Sequence, residues 1–207
     1  MNIKSTVELP FGKKIYQYKS GQSISSDVEF IVKTICHRFR NDTENFNILD
    51  LGCGGGIISI MLAHHFPLWN ISGIDIQDHL VEIAKENAIL AEVDVSFIKA
   101  DIRNYVSTAK CDLIISNPPY FTKSSGKISP SKERAVSHHE IMCCMEDMLE
   151  SVKRNLLLKG KAYLLYPLFR KEDLEKFVKK VDLIITEKII QKDLNKKKIF
   201  IAELIHA

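Results

Sequence analysis

The sequence lacks the features that would place the chain in a membrane or cross-link it. No apolar run approaches the roughly 18 residues that a membrane-spanning helix needs, and the first residues contain no uninterrupted apolar segment of the signal-peptide type. The 5 cysteines, an odd number, include no CxxC pair, which argues against a disulfide framework and against a zinc site. We therefore expect free thiols, a cytoplasmic location and no bound metal.

The chain also has little excess charge of either sign. Its 29 basic and 26 acidic residues leave a net charge of +3, which permits nucleic-acid binding but does not by itself argue for it. The sequence contains no internal repeat and no low-complexity tract. A length of 207 residues, 45% of them hydrophobic, fits one domain of ordinary size with a substantial core.

Strand and helix patterns alternate along the chain from about residue 45 onward. Apolar runs predict strands over residues 47–51, 71–76, 93–100, 112–116 and 162–166. Apolar residues at helical spacing predict helices over residues 57–66, 80–91, 141–156 and 172–180. Two further strand patterns, over residues 182–190 and 198–205, have no helix between them and therefore predict an antiparallel pair.

These elements predict an α/β fold with a doubly wound, Rossmann-like sheet. The sheet should have seven strands and be mostly parallel, with one antiparallel strand from the C-terminal hairpin. We expect residues 45–207 to form the main domain. Residues 1–44 should add an extended lead-in, up to about residue 24, and a helix packed on that domain.

Three local signals predict where helices begin and end. Ser26 and Glu29 have the spacing of a capping box, which would open the helix before the main domain. Asp78 can cap the helix that follows the second strand. Gly160 is placed to end the helix that begins at residue 141.

A glycine-rich loop follows the first strand of the main domain, in the segment Asp50-Leu51-Gly52-Cys53-Gly54-Gly55-Gly56. Because glycine has no Cβ, Gly52, Gly54 and Gly56 would let a nucleoside cofactor lie against bare backbone. Ligands of doubly wound sheets bind at the carboxyl ends of strands, where this loop is expected. Asp50 would orient the loop or hold an ammonium group of the ligand. The plainer alternative is that the glycines only form a tight turn.

Acidic residues end the next two strands. Asp75 can accept hydrogen bonds from both hydroxyls of a ribose, with Ile76 beside it. Asp101 can accept one from an adenine amino group, with Ile102 packing on the ring. Helix capping is the plainer role for both acids. The same geometry could hold NAD, but the spacing is GxGxG where the dinucleotide fingerprint is GxGxxG, and no proton-relay pair for hydride transfer stands out.

The segment Asn117-Pro118-Pro119-Tyr120 follows the fourth strand and suits a planar amino group. The lone pair of an exocyclic base amine is delocalised, so an enzyme can help by accepting both N–H bonds. The Asn117 side-chain oxygen and the Pro118 carbonyl are the acceptors, the prolines stiffen them, and Tyr120 offers a face for stacking. With a methyl donor at the glycine loop, positioning and charge placement would supply most of the acceleration, without a metal or a covalent nucleophile. The alternative is a rigid turn that leaves a strand.

Basic residues follow this segment in a long predicted loop over residues 121–139. They could hold RNA phosphates while a base is flipped out, although a solvated loop is the other interpretation. The proposed phosphate-binding residues are Lys123, Lys127, Lys132 and Arg134. A second basic group between the last two strands is at least as consistent with an ordinary solvated hairpin, and it comprises Lys192, Lys196, Lys197 and Lys198.

With these motifs, residues 45–207 resemble the class I methyltransferases that depend on S-adenosylmethionine (SAM). The NPPY form is typical of those that methylate amino groups of adenine, of guanine or of a glutamine side chain. The stretch Arg134-Ala135-Val136-Ser137-His138-His139-Glu140 resembles the adenine-N6 methyltransferases of valine tRNA. The resemblance implies methylation of the adenine immediately 3′ of the anticodon. It also implies a SAM site with Asp50, Gly52, Gly54, Asp75 and Asp101, and a base site with Asn117, Pro118 and Tyr120.

Three other functions stay open. A protein glutamine-N5 methyltransferase would normally carry an additional N-terminal helical domain, for which about 40 residues leave little room. A non-catalytic SAM-fold subunit that binds RNA would have no need to retain Asp75, Asn117 and Tyr120. A DNA adenine methyltransferase would need a separate target-recognition domain. The patterns do not predict an oligomeric state.

Overall fold

The computed structural model describes residues 4–18, 25–118, 144–192 and 198–207. Its strands are β1 (Lys4–Glu8), β2 (Lys14–Tyr18), β3 (Asn47–Leu51), β4 (Asn70–Asp75), β5 (Ser96–Lys99), β6 (Cys111–Ser116), β7 (Leu156–Pro167), β8 (Leu183–Lys192) and β9 (Lys198–His206). Its helices are α1 (Ser26–Arg38), α2 (Ile57–His65), α3 (Asp78–Ala91), α4 (Met145–Asn155) and α5 (Lys171–Val178), and a short 3-10 turn spans Leu168–Arg170. None of these helices is both long and apolar enough to cross a membrane.

Strands β3 to β9 form one sheet in the order β5-β4-β3-β6-β7-β9-β8. Strands β3 to β7 pair in parallel, whereas β9 runs antiparallel to both of its neighbours, β7 and β8. The predicted α/β sheet of seven strands, with one strand reversed by the C-terminal hairpin, is therefore confirmed. The chain order breaks between β3 and β6, which lie side by side at the centre.

The central strands are aliphatic because helices cover the sheet. Leu49 of β3 and Ile114 and Ile115 of β6 are completely buried, as expected for parallel strands that bury both faces. Helix α1 packs on α2 and β7, and α4 packs on α5 and β7. This arrangement keeps the strand ends in fixed register, so residues that follow the strands are held in defined positions.

The N-terminal lead-in is a β-hairpin, which the sequence patterns did not predict. Strands β1 and β2 are extended, as expected, but they also pair antiparallel as a separate two-stranded sheet. Gly12, at φ +80°, lies in the turn between them. Ile15 is completely buried and Leu9 is 2% exposed, so the hairpin packs on the domain instead of extending into solvent.

Two predicted caps are displaced by one residue. Helix α1 begins one residue earlier than the predicted box, since Ser25 is its N-cap and accepts a hydrogen bond from the Val28 amide at 3.5 Å. Helix α3 has Gln77 as its N-cap, and Asp78 is its first helical residue. Asp78 lies 3.5 Å from the Lys99 ammonium group instead of capping the helix.

The predicted role of Gly160 as a helix cap is wrong. Helix α4 ends at Asn155, and β7 begins at the next residue, so Gly160 lies inside a strand. A Cβ at this position would come within 2.9 Å of the Cys111 carbonyl oxygen and 2.8 Å of a Leu156 methyl group. Glycine is therefore required by the close approach of β6 and β7. The first predicted residues of this helix, from residue 141, lie outside the described residues.

Candidate active site

The polar motifs meet at one edge of the sheet because β3, β4, β5 and β6 are parallel and end on the same side. The glycine loop follows β3, Ile76 follows β4, Asp101 comes soon after β5, and Asn117 follows β6. This edge also contains the break in strand order between β3 and β6. In doubly wound sheets such a position forms the ligand-binding crevice.

The glycine loop has a backbone that only glycine adopts readily. Gly52, Gly54 and Gly56 have φ values of +74°, +54° and +80°. A Cβ on Gly52 or Gly54 would meet no atom of the described residues within 4 Å. A Cβ on Gly56 would come within 2.5 Å of the Phe97 ring. Among the described residues nothing blocks a ligand from the first two glycines, whereas Gly56 is required by packing.

The loop is fixed to the neighbouring strand β4 through its amides. The amides of Gly52 and Cys53 both donate to the Ile74 carbonyl at 2.9 Å. The Gly54 amide donates to the Asp75 carboxylate at 2.9 Å. These bonds hold the loop against the end of β4 while leaving its open side clear.

Asp75 is 7% exposed and has capacity for further hydrogen bonds. Its second oxygen accepts from the Gln77 amide at 2.9 Å, so each oxygen has one backbone donor. A carboxylate offers about four lone-pair sites, so beside these amides and the Gln77 side chain Asp75 can still accept from a ligand hydroxyl. Burial raises the pKa of Asp75, and the Gln77 and Gly54 amides limit the rise by stabilising the charged form.

Asp50 is buried beneath the loop, with 2% of its surface exposed. Its carboxylate accepts a hydrogen bond of 2.6 Å from the Ser59 hydroxyl of α2. Burial raises the pKa of Asp50 to about 7, the Ser59 hydroxyl lowers it, and the nearby Asp75 charge raises it again. Its contact with Ser59 connects the end of β3 to the helix that follows the loop.

Asp101 is held by a partner that the sequence patterns did not indicate. Both of its oxygens accept from the Arg103 guanidinium group, at 2.9 Å from Nε, and the Arg103 amide donates to it at 3.0 Å. The side-chain hydrogen bonds of Arg103 lower the pKa of Asp101, so the carboxyl is ionised at neutral pH. Ile102 is 8% exposed and packs in the core at this end of the sheet.

A buried hydrogen bond joins the glycine loop to the segment after β6. The Ser116 hydroxyl donates to the Leu51 carbonyl at 2.6 Å, and both residues are completely buried. Gly52 follows Leu51 and Asn117 follows Ser116 in the chain. The two motifs therefore begin side by side, with Asn117 half-buried and Pro118 buried.

Several of the predicted site residues cannot be placed. Pro119 and Tyr120 lie outside the described residues, as do the four basic residues predicted to hold phosphates, Lys123, Lys127, Lys132 and Arg134. Of the second basic group, Lys196 and Lys197 also lie outside them, and Lys198 is exposed at the start of β9. Within the described ranges, no group of three or more His, Cys, Asp or Glu side chains could hold a metal ion.

Four residues that the sequence patterns did not single out complete the site: Ser59, Asn87, Arg103 and Ser116. The first three bond to the glycine loop or to its acids, and Ser116 bonds to the strand end before the loop. Asn87 had a signal that could have revealed it, since it lies on the apolar face of α3, four residues after Ile83 and four before Ala91. A polar side chain at such a position needs a buried partner.

Comparison with known proteins relates the chain to methyltransferases. The release factor glutamine methyltransferase of Fusobacterium nucleatum is 38% identical over 100 residues, which are 47% of this chain and 28% of that protein. The tRNA1(Val) (adenine(37)-N6)-methyltransferase of Pedobacter heparinus is 32% identical over 127 residues, which are 60% of this chain and 53% of that protein. The chain thus spans about half the length, or less, of these curated relatives.

Solved structures share the fold at lower identity. The ribosomal protein L11 methylase of Lactobacillus delbrueckii has a TM-score of 0.64 and 15% identity, and the alignment covers 91% of this chain and 84% of that chain. A T. thermophilus 16S rRNA N2 methyltransferase, solved with AdoMet and guanosine, has a TM-score of 0.68 and 15% identity, covering 97% of this chain and 50% of that chain. At the level of sequence, residues 26–188 match the methyltransferase small domain family, which covers most of the chain. The chain therefore belongs to the methyltransferase small domain family.

Proposed function

We propose that the chain transfers a methyl group from SAM to the exocyclic N6 of an adenine in RNA, within a tRNA and next to the anticodon. The observation that carries this proposal is the bond between Ser116 and Leu51, at 2.6 Å. It brings the beginning of the Asn117-Pro118 segment beside the beginning of the glycine loop. An acceptor array for an amino group and an open cradle for a nucleoside are then neighbours.

The described residues fit SAM. No atom of the described part of the chain lies within 4 Å of where a Cβ of Gly52 or Gly54 would stand, which leaves room for a ligand against the loop. We assign the ribose hydroxyls to Asp75, whose carboxylate has more acceptor sites than the backbone amides occupy. We assign the adenine to Asp101 and Ile102, beside Ile76, with the Asp101 oxygens shared between the base and Arg103.

When bound, SAM supplies an electrophilic methyl group. The chain's part is to hold the acceptor nitrogen in line with it and to orient its lone pair. The Asn117 side-chain oxygen and the Pro118 carbonyl accept the two N–H bonds of the amine, which draws the nitrogen towards tetrahedral geometry. Pro118 is buried, so this acceptor is shielded from competing water. We assign the stacking face to Tyr120.

Two properties favour tRNA as the substrate. The curated relatives include several tRNA1(Val) (adenine(37)-N6)-methyltransferases, and the stretch that begins at Arg134 resembles that family. The basic residues at 123, 127, 132 and 134 would hold the phosphates on either side of the flipped base. Because tRNA is the proposed partner, we infer that the protein acts in the cytoplasm.

The test is nucleoside mass spectrometry of a valine tRNA transcript incubated with the protein and labelled SAM. We expect N6-methyladenosine at the position 3′ of the anticodon. Asn117→Ala should lower kcat by about 100-fold or more, because it removes one of two acceptors at the reacting nitrogen, while SAM affinity stays within about twofold. Asn70→Ala is the matched control, since Asn70 is exposed at the start of β4, where it bonds to the Asn47 side chain of β3, and its loss should leave activity unchanged.

A second candidate is methylation of a glutamine side chain, which has the same planar amino group. It is favoured by the 38% identity to a release factor glutamine methyltransferase. If a release factor is methylated while the tRNA transcript stays unmodified at saturating SAM, this function replaces the first. Calorimetry separates both from a non-catalytic subunit that has lost the cofactor, since such a subunit would show no heat on addition of SAM.

A further inference from the structure

Asn87 joins the N-terminal hairpin to the glycine loop through one buried side chain. It lies in α3 and is completely buried. Its Oδ1 accepts a hydrogen bond from the Tyr16 amide at 2.7 Å. Its Nδ2 donates to the Tyr16 carbonyl at 3.0 Å and to the Gly55 carbonyl at 3.0 Å. Both hydrogens of the Asn87 amide are therefore used, one on the hairpin at Tyr16 and the other on the glycine loop at Gly55.

The chemistry of this position is specific to a primary amide. Asn87 accepts from one backbone group and donates to two others. Among side chains of this size, only asparagine combines an acceptor with two donors. A carboxylate would place negative charge against the carbonyls of Tyr16 and Gly55, and an apolar side chain would leave these buried carbonyls without that donor.

The hairpin is anchored along the same helix by further contacts. Lys13 forms an ion pair with Glu92 at 2.7 Å, and Lys4 forms one with Glu86 at the other end of the hairpin. The Phe11 ring, in the turn, stacks on His64 of α2 with ring centroids 3.8 Å apart. The hairpin is therefore a packed layer over α3 and the end of α2, and Asn87 is its contact with the loop.

The loop has two supports, one on each side. Strand β4 holds the amides of Gly52, Cys53 and Gly54 through Ile74 and Asp75, and Asn87 holds the Gly55 carbonyl. A segment with several glycines loses more conformational entropy when it is ordered than other segments do. A loop that is already ordered binds its ligand more tightly than one that must be ordered on binding.

We propose that Asn87 is a positioning residue that couples the N-terminal hairpin to SAM binding by fixing the Gly55–Gly56 peptide at the end of the glycine loop. The proposal rests on the proposed function only in taking SAM as the ligand of this loop. Coupling is reciprocal, so ordering of the loop by a ligand must also steady the hairpin backbone at Tyr16. Asn87 bonds to the loop backbone at Gly55 and to Tyr16, so it should act on affinity and not on the chemical step.

The first test compares the full-length protein with Asn87→Ala and with the matched control Asn70→Ala, by calorimetry with SAM well below the unfolding temperature of each variant. Asn87→Ala should raise the Kd for SAM by about tenfold or more, with kcat at saturating SAM within about threefold of wild type. Asn70→Ala should leave Kd within about twofold. An unchanged Kd in folded Asn87→Ala overturns the inference while the proposed function stands.

The second test needs no variant. Hydrogen exchange of the wild-type protein is measured with and without saturating S-adenosylhomocysteine. Exchange at the Tyr16 amide, which donates to Asn87, should slow by about fivefold or more together with the loop amides. If the loop amides are protected and the Tyr16 amide is not, the coupling does not exist. If the wild-type protein binds neither SAM nor its product, the proposed function fails first, and this inference fails with it.

Discussion

Gly54 and Gly56 both have positive φ, but a Cβ would meet different surroundings at the two positions. Gly54 has no neighbour among the described residues where a Cβ would stand. Gly56 is the N-cap of α2, and a Cβ there would come within 2.5 Å of Phe97 and 3.1 Å of Ala84. The sequence predicted both as cofactor residues, since spacing alone cannot distinguish a glycine that faces a ligand from one that faces the core.

Exchange of each glycine for alanine should separate the two roles. Gly56→Ala should lower the free energy of unfolding by about 3 kcal/mol, because it adds overpacking to backbone strain. Gly54→Ala should cost about 1 kcal/mol from strain alone but weaken SAM binding. Urea unfolding and calorimetry with SAM measure the two effects. Equal losses of stability in both variants would contradict this division.

Asp50 makes the stability of the protein depend on pH. Burial raises its pKa to about 7, whereas in the unfolded chain an aspartate ionises near pH 4. Between about pH 4 and pH 7 the folded protein therefore holds a proton that the unfolded chain has lost, so stability falls as pH rises through this window. Above about pH 7 Asp50 is ionised in both states, so the stability lost across this window is not recovered and does not fall further.

Asp50→Asn should flatten this dependence, since an amide does not titrate. The fall in unfolding free energy between about pH 4 and pH 7 should shrink by an amount on the order of a few kcal/mol. Urea unfolding across this range provides the measurement, with Asp94→Asn, in the exposed turn before β5, as the matched control. A slope in Asp50→Asn identical to that of wild type would show that Asp50 is ionised in the folded state throughout.

At the scale of elements, the joint between β3 and β6 decides the geometry of the site. These strands pair in parallel over three registered positions, from Ile48 with Leu113 to Asp50 with Ile115. Beyond the last pair, the Ser116 hydroxyl continues the connection to Leu51. The connection between β3 and β6 thus continues one residue beyond the last backbone pair, to Leu51 and Ser116, which directly precede Gly52 and Asn117.

Ser116→Ala should loosen this joint. It leaves the buried Leu51 carbonyl without the hydroxyl, which should cost about 1–2 kcal/mol of unfolding free energy, and it should lower kcat more than the loss of stability explains. Ser151→Ala is the control, because Ser151 is also completely buried, but its hydroxyl accepts a 3.4 Å bond from Asn155 within α4 and so does not join β3 to β6. If kcat falls equally in both variants, the joint has no special role.

The sequence predicted elements well where one pattern decides the structure. Continuous aliphatic runs located β3, β4 and β6 to within a residue or two, because burial on both faces leaves little freedom of composition. The prediction failed at Gly160. Glycine is expected both at a helix cap and where two strands approach closely, and only the fold shows that the strand contact is the reason here. The prediction also missed the pairing of β1 with β2, since the alternation there is short and the packing partner α3 is distant in the chain.

At the scale of the whole molecule, a buried polar cluster around Glu203 connects the first helix to the last strands. Glu203 of β9 is 5% exposed and accepts hydrogen bonds from Tyr163 of β7 at 2.6 Å and Thr186 of β8 at 2.8 Å. Arg38, at the end of α1, lies 3.2 Å from the same carboxylate. Burial raises the pKa of Tyr163, and Glu203 raises it further, so its hydroxyl remains a donor.

Glu203→Ala should therefore be among the more destabilising substitutions of a buried residue in this sheet. We expect a loss of about 3 kcal/mol, because Arg38 and Tyr163 lose a buried partner. Glu187→Ala is the matched control, since Glu187 pairs with the same arginine but is 48% exposed, and it should cost less than about 1 kcal/mol. Thermal unfolding of both variants measures the difference, and a comparable loss in the two would refute the importance of burial at Glu203.

The overall topology was predictable, whereas the contacts of the site were predictable only in part. Asp75 and Asn117 lie at the strand ends where the motifs indicated, because parallel strands bring their carboxyl ends together. The partners Arg103 and Asn87 could not be predicted. Arg103 bonds to Asp101 within a turn, and Asn87 belongs to a contact between segments that are distant in the chain. The assignment of each residue to SAM or to the base remains a prediction.

The break in strand order between β3 and β6 has a consequence for how the protein could be divided. Strands β3 to β5 precede the stretch around residue 105, and β6 to β9 follow it. A cut in that stretch would separate the glycine loop from Asn117 and leave each fragment with half of the crevice. Return of nucleoside binding on mixing the two fragments would then report their reassembly, with no need for a turnover assay.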